Sequence, residues 1–67
     1  MKKEKRKPLF KLMYERKKAG LTQSELAEKV GCMRMTIYYY ESGARVPNAE
    51  MLSKLATALN CKTEDIV

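Results

Sequence analysis

Residues 22–40 read T-Q-S-E-L-A-E-K-V-G-C-M-R-M-T-I-Y-Y-Y, and the arrangement of the rest of the chain follows from this stretch. Thr22 followed by Glu25 is a capping box, in which each side chain takes up a backbone donor at a helix start. Leu21 before the cap and Leu26 at the fourth helical position have the spacing of a hydrophobic staple. Leu26, Ala27 and Val30 then make the inward face of a short helix. Gly31 ends it, because a residue without a Cβ enters the left-handed conformation freely. After Cys32 a second helical run places Met33, Ile37 and Tyr40 on one side. Two helices cross closely only where the contact residue is small, and Ala27 stands at that crossing. The pattern predicts helices over about residues 23–30 and 34–41 joined by a sharp corner.

Working outward, 67 residues suffice for one small domain with a core near the lower limit for folding unaided. Fourteen Lys and Arg stand against eight Asp and Glu, a net charge of +6 and a pI of about 9.5. Such a balance favours a polyanionic partner. The charge is also uneven. Lys2, Lys3, Lys5, Arg6, Lys7, Lys11, Arg16, Lys17 and Lys18 face only Glu4 and Glu15 over residues 1–18, whereas residues 46–67 are close to neutral. With no histidine and no Cys-x-x-Cys spacing, Cys32 and Cys61 lack the company a metal site needs, so no metal is expected. They read as small inward-facing hydrophobes with free thiols in a reducing compartment. No apolar run approaches the ~20 residues of a membrane span, and no signal-peptide core follows the basic start. The expected location is the cytoplasm, at the nucleoid.

Residues 1–7 form a charge run without an apolar anchor, predicted to be a disordered basic arm. Two readings of it stand: a phosphate-seeking tail, or a solubilising one. Residues 8–67 form the folded domain. Pro8 suits a first helical turn, and Leu9, Leu12, Met13 and Ala19 recur at helical spacing up to Gly20, with Arg16 on the same stripe. A charge on an apolar stripe needs a partner. Residues 42–47 are a loop in which Gly43 permits a left-handed exit and Pro47 fixes the next start. Asn48 caps a fourth helix carrying Met51, Leu52, Leu55, Ala56 and Leu59, which stops at Asn60. Thr63 is expected to cap a last short helix with Ile66 turned inward. The predicted class is therefore all-α, a compact bundle of five helices.

Ala27, Gly31 and Ile37, with apolar Leu26, Val30, Cys32 and Tyr40 among them, resemble the helix-turn-helix of DNA-binding proteins. From Leu9 to Val67 the chain is similar to the phage repressor and Cro-type family, also named after the xenobiotic response element regulator. The match rests on Arg16, Gly20-Leu21-Thr22-Gln23, Glu25-Leu26-Ala27, Val30-Gly31, Ile37, Glu41-Ser42-Gly43, Pro47 and Leu52 through Leu59. The resemblance implies a lambda-repressor-like five-helix domain that binds operator DNA as a two-fold dimer. It also implies an ion pair between Arg16 and Glu41. Met33 departs from the usual Ser or Thr at its position, Asn60 from a glycine, and the run Tyr38-Tyr39-Tyr40 is unusual for the family.

In that arrangement the third helix enters the major groove. Arg34, Met35 and Tyr39 are the expected base contacts: Arg34 for guanine O6 and N7, Met35 for a thymine methyl, Tyr39 through its hydroxyl. Gln23, Thr36, Tyr38, Ser42 and Arg45 are the expected phosphate contacts, Gln23 by family resemblance and at the positive end of its helix. Thr36 also admits a plain packing role. Lys17, Lys18 and Lys29 read as a solvated face.

The absence of histidine, of a glycine-rich phosphate loop and of clustered carboxylates argues against an enzyme. No catalytic residue, cofactor or small-molecule ligand is expected, and a chain this short leaves no room for a separate sensing domain. Adsorption to an acidic membrane would need a coherent apolar face on the first helix, where only Leu9, Phe10 and Tyr14 are available. The sequence thus predicts a double-stranded DNA-binding transcriptional regulator, a repressor, that acts as a homodimer on a palindrome. A protein-interaction module on the same fold, an antitoxin or co-activator adaptor, is the alternative.

Overall fold

The computed structural model describes residues 9–67. The basic arm and Pro8 lie outside the described residues. Four α-helices follow one another: α1, Phe10–Lys18; α2, Gln23–Val30; α3, Arg34–Ser42; and α4, Ala49–Ala58. A single 3-10 turn, Thr63–Asp65, closes the chain, and no strand occurs among the described residues. Four helices and a turn, rather than five helices, correct the sequence expectation, and the reason is local. The Asp65 carboxylate accepts the N–H of Lys62 at 2.9 Å, which puts the cap at Lys62 instead of Thr63. Ile66 then leaves the turn after three residues to enter the core.

Capping fixes α2 and α4. The Glu25 N–H donates to the Thr22 hydroxyl at 3.0 Å, and the Thr22 N–H donates to the Glu25 carboxylate at 2.9 Å. Asn48 Oδ1 accepts the Met51 N–H at 2.8 Å. Gly31 stops α2 with φ +78°, and its N–H donates to the Ala27 carbonyl. Asn60 takes the left-handed conformation at φ 56° just beyond α4, as an asparagine tolerates.

Leu12, Leu26, Ile37, Leu55 and Ile66 are fully buried at the centre, with Ala27, Val30, Tyr40, Ala56 and Leu59 around them. α2 lies between α3 and α4, while α1 packs on α3 and on the 3-10 turn. Buried Ala27 lets α2 and α3 approach. Met33 differs from its predicted inward place: it is the extended residue before α3 and is exposed. Its extended backbone, just before the helix, breaks the 3.6-residue spacing that relates Ile37 to Tyr40. Cys32 and Cys61 are half-buried free thiols packed at the edge of the core.

Candidate nucleic-acid interface

Ile37, Tyr40 and Glu41 hold α3 to the molecule. With those three buried, helical geometry turns Arg34, Met35, Tyr38 and Ser42 to solvent, and all four are exposed. Thr36 and Tyr39 are half-buried on the flanks. The start of α3 has no acidic residue in its first turn and no side-chain cap. Its positive dipole end therefore stands beside the Arg34 guanidinium without a compensating carboxylate.

α3 is anchored through a buried charge pair. Arg16 Nε lies 2.6 Å from Glu41 Oε2, and Arg16 Nη2 lies 3.1 Å from Oε1, a two-pronged contact between residues 7% and 6% exposed. Arg16 Nη1 also donates to the Leu21 carbonyl at 2.8 Å. Gln23 completes the network, its Nε2 donating to Glu41 Oε1 at 3.0 Å. Among the described residues no buried side-chain polar atom lacks a partner. The network ties the start of α2, the end of α3 and α1 together, so the two halves of the interface keep a fixed spacing. The Gln23–Glu41 bond was not legible in the sequence, because it joins residues 18 apart that only the fold brings together.

The far end of α3 is equally constrained. Gly43 has φ +90° and donates to the Tyr39 and Tyr40 carbonyls. The Tyr39 carbonyl also accepts the Arg45 N–H at 3.2 Å and the Ser42 hydroxyl at 3.2 Å. Folding back in this way places the Arg45 guanidinium 5.4 Å from the centre of the Tyr39 ring, a cation–π contact. Tyr38 and Tyr39 lean on one another with ring centres 5.8 Å apart. Arg45 therefore leaves the loop from a stacked, directed position beside α3. Only Gly43 signalled this, by marking where the chain reverses.

At the start of α2 the capping box consumes the donors of Thr22 and Glu25, leaving the N–H groups of Gln23 and Ser24 pointing out of the helix end. Gln23, Arg34, Met35, Thr36, Tyr38, Tyr39, Ser42 and Arg45 all fall on α2, α3 and the loop after it. Burial pushes the Cys32 thiol above its ordinary 9.0. It also pushes the Tyr40 hydroxyl above 10.0, with Cys32 adding to the rise and Arg45 opposing it. Arg34 and Arg45 stand exposed on this surface, and Glu41 is turned inward. No group of three His, Cys, Asp or Glu side chains suited to a metal occurs among the described residues. No described helix is long and apolar enough to cross a membrane.

A helix-turn-helix family model matches residues 12–66. An uncharacterized HTH-type transcriptional regulator of Archaeoglobus fulgidus is 43% identical over 51 residues, which cover 76% of this chain and 73% of that protein. Multiprotein-bridging factor 1b of Arabidopsis thaliana is 43% identical over 51 residues, 76% of this chain but 36% of that longer protein. Among solved structures, the restriction-modification controller protein C.AhdI of Aeromonas hydrophila superposes with a TM-score of 0.82 at 31% identity, covering 87% of this chain and 88% of that one.

Proposed function

The chain belongs to the helix-turn-helix family, and from that membership we propose that it is a sequence-specific regulator of transcription that inserts α3 into the major groove of double-stranded DNA. The observation that carries this reading is the division of α3 itself. Ile37, Tyr40 and Glu41 are buried, while Arg34 and Met35 at the open end of the helix, and Tyr38 one turn along it, stand exposed. Arg34 reads guanine, Met35 a thymine methyl and Tyr39 a base edge. Arg45, Ser42, Tyr38, Thr36 and the start of α2 at Gln23 grip phosphates on either side. Gln23 does so with its backbone N–H at the helix start, while one N–H of its side-chain amide holds Glu41.

One such helix reads few base pairs, so the working form is a homodimer on a palindrome with half-sites about 10–11 bp apart. The pairing surface expected of the sequence is Val46, Cys61 and the Ile66–Val67 end, of which Val46 and Val67 are exposed and Cys61 half-buried. Ile66 belongs to the core and is not available to it. Bound at a promoter, such a dimer acts as a repressor by occupying the site, in the cytoplasm at the nucleoid, and the basic residues 1–7 add phosphate contacts.

The test separates two arginines. Arg34→Ala is expected to relax base preference at one position of the half-site. Arg45→Ala is expected to weaken binding to all sequences alike and to lower the salt slope by about one. Equal effects of the two on selectivity defeat the assignment. A second reading, a protein-interaction module, draws on the likeness to the bridging factor and on Phe10 and Tyr14, both exposed on the outer side of α1.

A further inference from the structure

Exposed apolar residues flank Arg34 in the chain. Met33 is 74% exposed, Met35 40%, and Tyr38, one turn further on, 47%. Single apolar residues on a surface need no explanation; two exposed methionines on either side of an arginine at an uncapped helix start stand where a groove-entering helix meets base edges. Met33 also stands where a side-chain oxygen would cap α3, and it makes no such bond. Tyr38 lies four residues from Arg34 and three from Met35, the spacings that make neighbours on a helix surface.

In the major groove the arginine fork matches guanine O6 and N7, and the apolar group a base presents there is the C5 methyl of thymine. A 5-methylcytosine carries the same methyl at the same ring position. We propose that Met33 and Met35 flank Arg34 as a methyl-reading pair, with the Tyr38 hydroxyl left to phosphate, so that the protein selects a 5-methylpyrimidine adjoining a guanine and takes thymine and 5-methylcytosine alike at that methyl. This rests on the DNA-binding reading of α3 and adds to it a response to cytosine methylation.

The probe is the duplex selected from randomised DNA, varied only at the pyrimidine beside the guanine. Thymine is compared with uracil, and 5-methylcytosine with cytosine; each pair differs by one methyl and keeps every Watson–Crick group. Loss of the methyl is expected to weaken binding about fourfold in both pairs, the worth of one buried methyl. The difference should vanish in the Met33→Ala/Met35→Ala protein, whose helix content is checked by circular dichroism. The comparison with the unaltered protein changes only the DNA, so a folding defect cannot imitate it. Equal binding within both pairs overturns the proposal, as does a selected site in which no thymine adjoins guanine. A methyl effect confined to the thymine pair overturns the equivalence, and one that survives in the double variant removes the methionines from the role. If selection enriches no sequence at all, it is the DNA-binding reading that fails, and this inference falls with it.

Discussion

Arg16 and Glu41 place two charges where water hardly reaches, and each is tolerable only because of the other. Glu41→Ala leaves a buried guanidinium with the Leu21 carbonyl alone, and Gln23 without its acceptor. We expect it to cost about 3–5 kcal/mol in denaturant unfolding, and the paired Arg16→Met/Glu41→Leu to cost much less than either single change. A small penalty for Glu41→Ala argues against this burial. The thiols offer a test by pH. Burial raises Cys32, and raises Cys61 with help from Glu15 and Asp65 against the opposing Lys18. With folded values above the ordinary 9.0, the folded chain holds its protons longer than the unfolded one. These groups, with Tyr40, therefore contribute their full stability below about pH 9 and lose it as pH rises beyond. Unfolding followed from pH 7 to 11 should show a plateau and then a decline. Alkylation of both cysteines at neutral pH should be slower than that of an unstructured thiol.

Helix ends are where the sequence was most readable, because caps are local. Thr22, Glu25, Gly31, Asn48 and Asn60 each carry their signal within a few residues, and each takes the geometry expected of it. Thr22→Ala and Asn48→Ala should each cost about 1 kcal/mol. Gly31→Ala should cost a similar amount through its positive φ alone, since an added Cβ meets nothing within 4 Å. What the sequence did not disclose depends on distance or on a one-residue offset. Met33 precedes α3 with an extended backbone, so helical spacing counted back from Ile37 does not place its side chain, and the last helix is only a turn because the Asp65 carboxylate caps at Lys62. The Gln23–Glu41 bond and the Arg45–Tyr39 stack join elements through turns whose direction periodicity does not encode. The division of α3 into buried and exposed residues was legible, since it follows from 3.6 residues per turn once Ile37 is fixed inward. Met33→Ser gives a sharp check: it should stabilise α3 by about 1 kcal/mol by supplying the missing cap, while weakening the preference for a methylated pyrimidine. A variant that gains stability and keeps that preference separates Met33 from base reading.

At the scale of the whole molecule, charge and symmetry decide how the interface works. Residues 1–7 carry five cations and one anion, so their removal takes the net charge from +6 to +2. Binding to any duplex should weaken and its salt slope flatten, while the preferred sequence stays the same. A changed preference would mean that the arm reads bases. Sedimentation should show two chains on one palindromic duplex; a single chain on such a duplex excludes the two-fold arrangement. The most direct measurement is a binding selection from randomised duplex DNA at about 0.15 M salt, where non-specific attraction to a cationic protein is largely screened. The expected result is a palindrome with half-sites one helical turn apart, each containing a guanine whose selection is lost in Arg34→Ala. Recovery of no enriched sequence contradicts DNA recognition by α3 and leaves the fold as a scaffold for protein partners.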